Sequence, residues 1–156
     1  MELKIVCKGK KSDMLRAATE FYAEKLNISK HDFSLLILTT NIRSKTGTSG
    51  SAAKLGHKEY GINIDGRMNP SYTLSTLAHE MVHIKQLVKG QLSYTLGEGD
   101  RASYKWRGKR VRRTYMNRQW EKEAYRRENE LFDELVSYVK TKKEQNERAA
   151  EKVRRG

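Results

Sequence analysis

The stretch SYTLSTLAHEMVHIKQLVK, residues 71–89, carries Leu74, Leu77, Ala78, Met81, Ile84 and Val88 at spacings of three and four. That period places all six on one side of an α-helix, a stripe broad enough to bury against a sheet or a second helix. Both ends are signalled: Asn69 or Ser71 can cap the start, and Gly90 stands where a left-handed residue closes a helix. Inside the helix lies His79-Glu80-Met81-Val82-His83, an HExxH. At about 3.6 residues per turn the two histidines leave the same face, so both imidazoles can reach one metal ion. Glu80 then stands beside the metal without binding it, where it can take a proton from a metal-activated water. Two imidazoles buried on an otherwise apolar helix are costly without such a partner.

Working outward, KEYGINID (58–65) alternates Tyr60, Ile62 and Ile64 on one face, the pattern of a half-buried strand. NIRSKTGTSGSAAKLG (41–56), rich in Gly, Ser and Thr, reads as a loop, and FSLLILTT (33–40) as a strand. KSDMLRAATEFYAEKL (11–26) is an amphipathic helix with Met14, Ala17, Ala18, Phe21 and Leu26 along one side and Ser12 or Asp13 as cap. ELKIVC (2–7) is a short strand. Downstream, QLSYTL and SYKWRGKRV within 91–116 carry weak strand patterns. A long helix follows from about residue 118, capped by Asn117, with Trp120, Ala124, Leu131, Leu135 and Val139 on its apolar side. The expected architecture is one α+β domain over 1–140, a small mixed sheet packed on the 11–26 helix and the motif helix. Residues 141–156, TKKEQNERAAEKVRRG, have almost nothing to bury and read as a solvated helical extension or a frayed tail.

Composition sets the bounds. A chain of 156 residues with 37% apolar content supports one modest core and no second full domain. Its longest apolar run, Leu35 to Leu38, falls far short of the roughly 20 residues of a membrane-spanning helix. The N-terminus alternates charged and apolar residues and lacks the continuous apolar stretch of a secretory signal. Cys7 stands alone, which excludes an internal disulfide and a CxxC metal site and fits a reducing cytoplasm. With 32 Lys+Arg against 19 Asp+Glu, the net charge of +13 favours contact with polyanions.

A catalytic zinc site takes three protein ligands and keeps a fourth position for water. The chain has 4 histidines, and the other two, His31 and His57, precede the motif. Gln86 and Lys89 stand where the longer HExxHxxGxxH motif needs Gly and His. The third ligand is therefore a carboxylate, or His57 reaching back from the neighbouring strand. Glu98 and Asp100 lie in a Gly-flanked loop, a poor place to hold a ligand rigidly. On the long helix, Glu121 lies near the buried side, whereas Glu123 points about 200° further round, towards solvent. Small Ala124 would let the two helices approach closely.

TLAHEMVHIKQ (76–86) followed by WEKEAYRREN (120–129) resembles the small phage and bacterial HExxH metallopeptidases of the gluzincin group. GSAAKLGHKEYGINID (50–65) and YKWRGKRV (104–111) look like that family's edge strand and the insertion after its motif. The likeness covers roughly residues 33–130 and is weaker to SprT-like proteases, which use a third histidine. It implies a zincin-like domain holding one Zn2+ per chain through His79, His83 and Glu121, with Glu80 as general base for peptide-bond hydrolysis in a cytoplasm, that of the host cell if the chain is phage-encoded. The oxyanion donor would be a tyrosine, Tyr125 or Tyr115 foremost, with Tyr94 and Tyr104 also in range. KEYGINID would form the upper edge of the cleft, against its plain reading as an ordinary sheet strand. Tyr125 departs from the family, whose larger members carry there an aspartate that supports a ligand.

One further segment competes for a function. Arg101, Lys105, Arg107, Lys109, Arg110, Arg112, Arg113 and Arg118 are interleaved with Tyr104, Trp106 and Tyr115 and with no acid. Cations beside stacking rings are what single-stranded nucleic acid requires. The rival reading is therefore a basic nucleic-acid-binding protein, or a protease associated with nucleic acid, in which the metal is structural; a solvated hairpin, or one selecting acidic substrates, is the plain alternative. A protein or peptide substrate and no membrane complete the expected partners.

Overall fold

Leu35 and Ile37 on β2 (Ser34–Thr40) and Tyr60, Ile62 and Ile64 on β4 (Glu59–Asp65) alternate with less buried neighbours and are themselves almost wholly buried. In the computed structural model of the protein, which describes residues 1–96, 102–111 and 118–156, these two strands are the middle of a mixed sheet. Its order is β1-β2-β4-β3, with β1 (Glu2–Val6) parallel to β2, β2 parallel to β4, and β3 (Gly50–Gly56) antiparallel to β4. The sheet's apolar residues share one core with Leu77, Ala78, Met81 and Ile84 of α3 (Pro70–Val88). Burying each such side chain contributes roughly 1.5–3 kcal/mol, so the periodic face of α3 is what fixes it to the sheet.

α3 begins and ends as its sequence predicts. The Asn69 side chain accepts from the Tyr72 N–H at 2.9 Å, Pro70 takes the first turn, and Gly90 has φ +67 with its N–H donating to the Leu87 carbonyl. Ahead of it, the buried Asp65 carboxylate accepts from the Arg43 and Arg67 N–H groups, each at 3.0 Å, and from the Arg67 side chain. That bonding, Arg67 first, holds its carboxyl down at about 2.

Several sequence expectations are corrected. Residues 41–56 are not a loop: they form α2 (Ile42–Thr46) and the edge strand β3. β3 carries small residues because its pairing to β4, Gly50 to Ile64 and Ala52 to Ile62, is made by main chain and asks for no apolar period. KEYGINID is accordingly an interior strand, and the edge belongs to β3. On α1 (Lys11–Lys25) the buried face is Leu15, Ala18, Thr19, Tyr22 and Ala23, whereas Ala17 is exposed and Met14 and Phe21 only half-buried. Thr19 and Tyr22 go inside because each hydroxyl has a carbonyl to donate to, Leu15 at 2.6 Å and Leu74 at 3.1 Å. Neither Ser12 nor Asp13 caps α1, which starts earlier, at Lys11, whose ammonium donates to the Gly66 and Met68 carbonyls.

Beyond α3 a second sheet, antiparallel in the order β5-β6-β7, is built from β5 (Leu92–Leu96), β6 (Ala102–Trp106) and β7 (Lys109–Val111). α4 (Gln119–Arg155) then packs along α3 and touches α1. Trp120, Ala124, Leu131 and Leu135 are buried as expected; Val139 is 55% exposed. The expected cap Asn117 lies outside the described residues. After Leu135 every residue is exposed, yet the helix continues to Arg155. The fold is thus mixed α+β with a small mixed sheet and a long C-terminal helix. Among the described residues no helix is long and apolar enough to cross a membrane.

Candidate metal centre

α3 presents His79, Glu80, His83 and Gln86, and α4 presents Glu121, Glu123, Tyr125 and Glu128. The two helices pack directly on each other, with Ala124 wholly buried. His79 Nε2 lies 3.1 Å from His83 Nε2 and 3.2 Å from Glu121 Oε2. His83 Nε2 lies 3.3 Å from Glu121 Oε1. All three ligand atoms fall within 4.8 Å of one another, so the group could hold a metal ion.

The opposite ring nitrogens show which way the imidazoles are turned. His79 Nδ1 meets Glu128 Oε2 at 2.6 Å, and His83 Nδ1 meets Gln86 Oε1 at 2.9 Å. The orientation of the Gln86 amide is fixed, because its Nε2 donates to the Trp120 carbonyl at 2.9 Å and to Glu123 Oε2 at 3.0 Å. Both Nδ1 partners are acceptors, so with neutral rings each Nδ1 carries the proton and each Nε2 lone pair faces the point shared with Glu121. In that tautomer the two lone pairs face each other at 3.1 Å, an arrangement that a shared cation would stabilise.

The electrostatics favour positive charge at this point. Burial acts to lower both imidazole pKa values, but the carboxylates around them, Glu121 foremost, outweigh it and raise both above the ordinary 6.5. Burial acts to raise Glu121, yet its bonds to His79 and His83 hold it well below the usual carboxylate range. This is a place of negative potential. Glu80, 6% exposed, is pushed up by burial. It lies against β3, where a Cβ on Gly50 would stand 2.7 Å from Thr76 Cγ2 and 3.0 Å from Glu80 Oε1.

These groups open onto a cleft of about 950 Å³ between Gly50–Ala52 on β3 and Tyr125 and Glu128 on α4. The ring of Tyr125 stands edge-on to His79 at 4.7 Å, and the residue is 62% exposed. Tyr94 is less free: its hydroxyl accepts from the Lys54 N–H at 3.0 Å, tying β5 to β3. Tyr104 stacks on Trp120 at 5.9 Å. Tyr115, Glu98 and Asp100 lie outside the described residues. His57 sits exposed in the β3–β4 turn, in a separate recess with Met1 and Asp32, and takes no part in the group.

Glu123 is a correction. It does not face solvent but pairs with Lys85 and Gln86 across the helix seam, with its side chain 16% exposed. Sequence reading missed Glu128, Gln86 and Gly50. For Glu128 a signal existed: it follows Glu121 by seven residues, about two turns, and so shares its face.

In the basic segment, β6 turns Trp106 inward against Trp120, at 6.0 Å, while Lys105 points out opposite Arg110. Arg107, Lys109 and Arg110 are exposed, and Arg107 also lies over the Trp106 ring at 5.4 Å. Among the described residues the face presented outward is therefore cationic, with Trp106 turned inward and Tyr104 stacked on Trp120; Arg101, Arg112, Arg113 and Tyr115 lie outside the described residues. The chain matches no protein-family model, no curated protein and no solved structure.

Proposed function

We propose that the protein is a zinc-dependent peptidase with a zincin-like domain of the gluzincin type, in which His79, His83 and Glu121 hold one zinc. The observation that carries this reading is the convergence of His79 Nε2 and His83 Nε2, 3.1 Å apart, on the Glu121 carboxylate, whose Oε2 lies 3.2 Å from the first and whose Oε1 lies 3.3 Å from the second. One ligand atom from each of the three residues lies within 4.8 Å of the others, and two imidazoles with one carboxylate are donors that would suit zinc. When bound, zinc supplies Lewis acidity for an attacking water and for the scissile carbonyl. Glu80 takes the proton of that water and passes it to the leaving amine; its burial pushes its carboxyl up and so makes it the stronger base. Tyr125, beside His79 and open to the cleft, donates its hydroxyl to the developing oxyanion. The outer edge of β3 over Gly50–Ala52, which lines the cleft ahead of the Tyr94 contact at Lys54, offers main-chain groups to an extended peptide.

The test is hydrolysis of an unstructured protein substrate by the purified chain. The expected result is cleavage that a chelator stops and added zinc restores. Absence of cleavage by the zinc-loaded, folded protein, or cleavage indifferent to chelation, would overturn the reading.

A further inference from the structure

We infer that Glu128 is a positioning residue, holding His79 in the one orientation and tautomer that serve the metal; the inference rests on the metal-site reading above. Three observations carry it. The contact between Glu128 Oε2 and His79 Nδ1 is 2.6 Å, the length of a strong, charge-assisted hydrogen bond. Both side chains are largely withdrawn from water, His79 at 14% and Glu128 at 20% exposure. And Glu128 rides on the same helix face as Glu121, so α4 delivers a ligand and the support of another ligand as one rigid unit.

The consequence is an asymmetric site. The His83 ring is held by a neutral amide, Gln86, and the His79 ring by a carboxylate. A carboxylate accepting from Nδ1 makes Nε2 a better donor and adds negative charge close to the cation. Glu128→Gln keeps an acceptor oxygen of the same reach and removes only the charge; Glu128→Ala removes both. The four-residue step from Glu121 that would put a carboxylate one turn on is occupied by Tyr125, and Glu128 stands a turn beyond it.

The experiment measures zinc affinity of the wild type, Glu128→Gln, Glu128→Ala and Glu121→Ala by competition with a chromophoric chelator, with circular dichroism and Tm on each. Glu128→Ala is expected to bind zinc about 10–100-fold more weakly than the wild type, with Glu128→Gln between the two. The visible spectrum of the cobalt-loaded protein should change in the same order. If Glu128→Gln and Glu128→Ala keep wild-type affinity and spectrum while Glu121→Ala loses the metal, the site stands and the role of Glu128 is wrong. A lower Tm at unchanged affinity would make Glu128 a brace between α3 and α4 and would also overturn it. A wild type that binds no zinc removes the metal-site reading itself, and the inference with it.

Discussion

Glu80→Gln is expected to lower kcat by on the order of 10²–10⁴-fold, the usual contribution of a positioned general base, while the protein keeps its zinc and its fold. The substitution is nearly isosteric, so the packing of the side chain against β3 survives, and the ligand atoms of His79, His83 and Glu121 are untouched. What is lost is the ability to accept a proton: an amide at the position of a carboxylate that is 6% exposed can hydrogen-bond a water but not deprotonate it. Steady-state kinetics with metal analysis on the same samples checks this. A variant as active as the wild type would show that another group, or none, acts as base.

The second large effect comes from a residue with no side chain. Gly50→Ala adds a carbon 2.7 Å from Thr76 Cγ2, 3.0 Å from Glu80 Oε1 and 3.1 Å from Glu80 Cγ. Either β3 retreats from α3 or Glu80 moves, and a misplacement of about 1 Å at a reacting group costs roughly 10²-fold in rate. Overpacking should also cost about 1–3 kcal/mol of stability. The two effects separate in the double variant Gly50→Ala, Thr76→Ser. Removing the Thr76 methyl relieves the closest contact, so Tm should recover in large part, while the contacts with Glu80 persist and kcat should not. A single Gly50→Ala variant with wild-type kcat would mean that Glu80 can be displaced without consequence, against its assigned role.

Much of the architecture could be read from side-chain period alone. The α3 stripe, its Asn69 cap and Gly90 close, the β2 and β4 strands, and the pairing of the motif helix with a later helix bearing Glu121 are all there in the residue pattern. β3 escaped that reading because an edge strand of Gly, Ser and Ala is specified by its main-chain partner, not by its own side chains. The apolar period of α1 places its face one position from the buried one, because Thr19 and Tyr22 count as core only once their hydroxyls have carbonyls to meet, and one of those is on α3. The period of α4 alone turns Glu123 to solvent, but two helices in contact bury a wider stripe, and Lys85 and Gln86 of α3 meet it there. Glu128 was visible as an acid two turns after Glu121, but only the α3–α4 packing distinguishes it from Glu130, Asp133 and Glu134 nearby. Nothing in the chain marks Gly50, whose importance is a distance across the cleft.

The most direct test of the central claim is the metal content, by elemental analysis after dialysis, of the wild type and of Glu121→Ala and Glu123→Ala. The account predicts about one zinc per chain in the wild type, its loss in Glu121→Ala and its retention in Glu123→Ala, because Glu121 faces both imidazoles and Glu123 faces Lys85 and Gln86. A folded wild type without metal would contradict it, as would a Glu121→Ala variant that keeps its zinc.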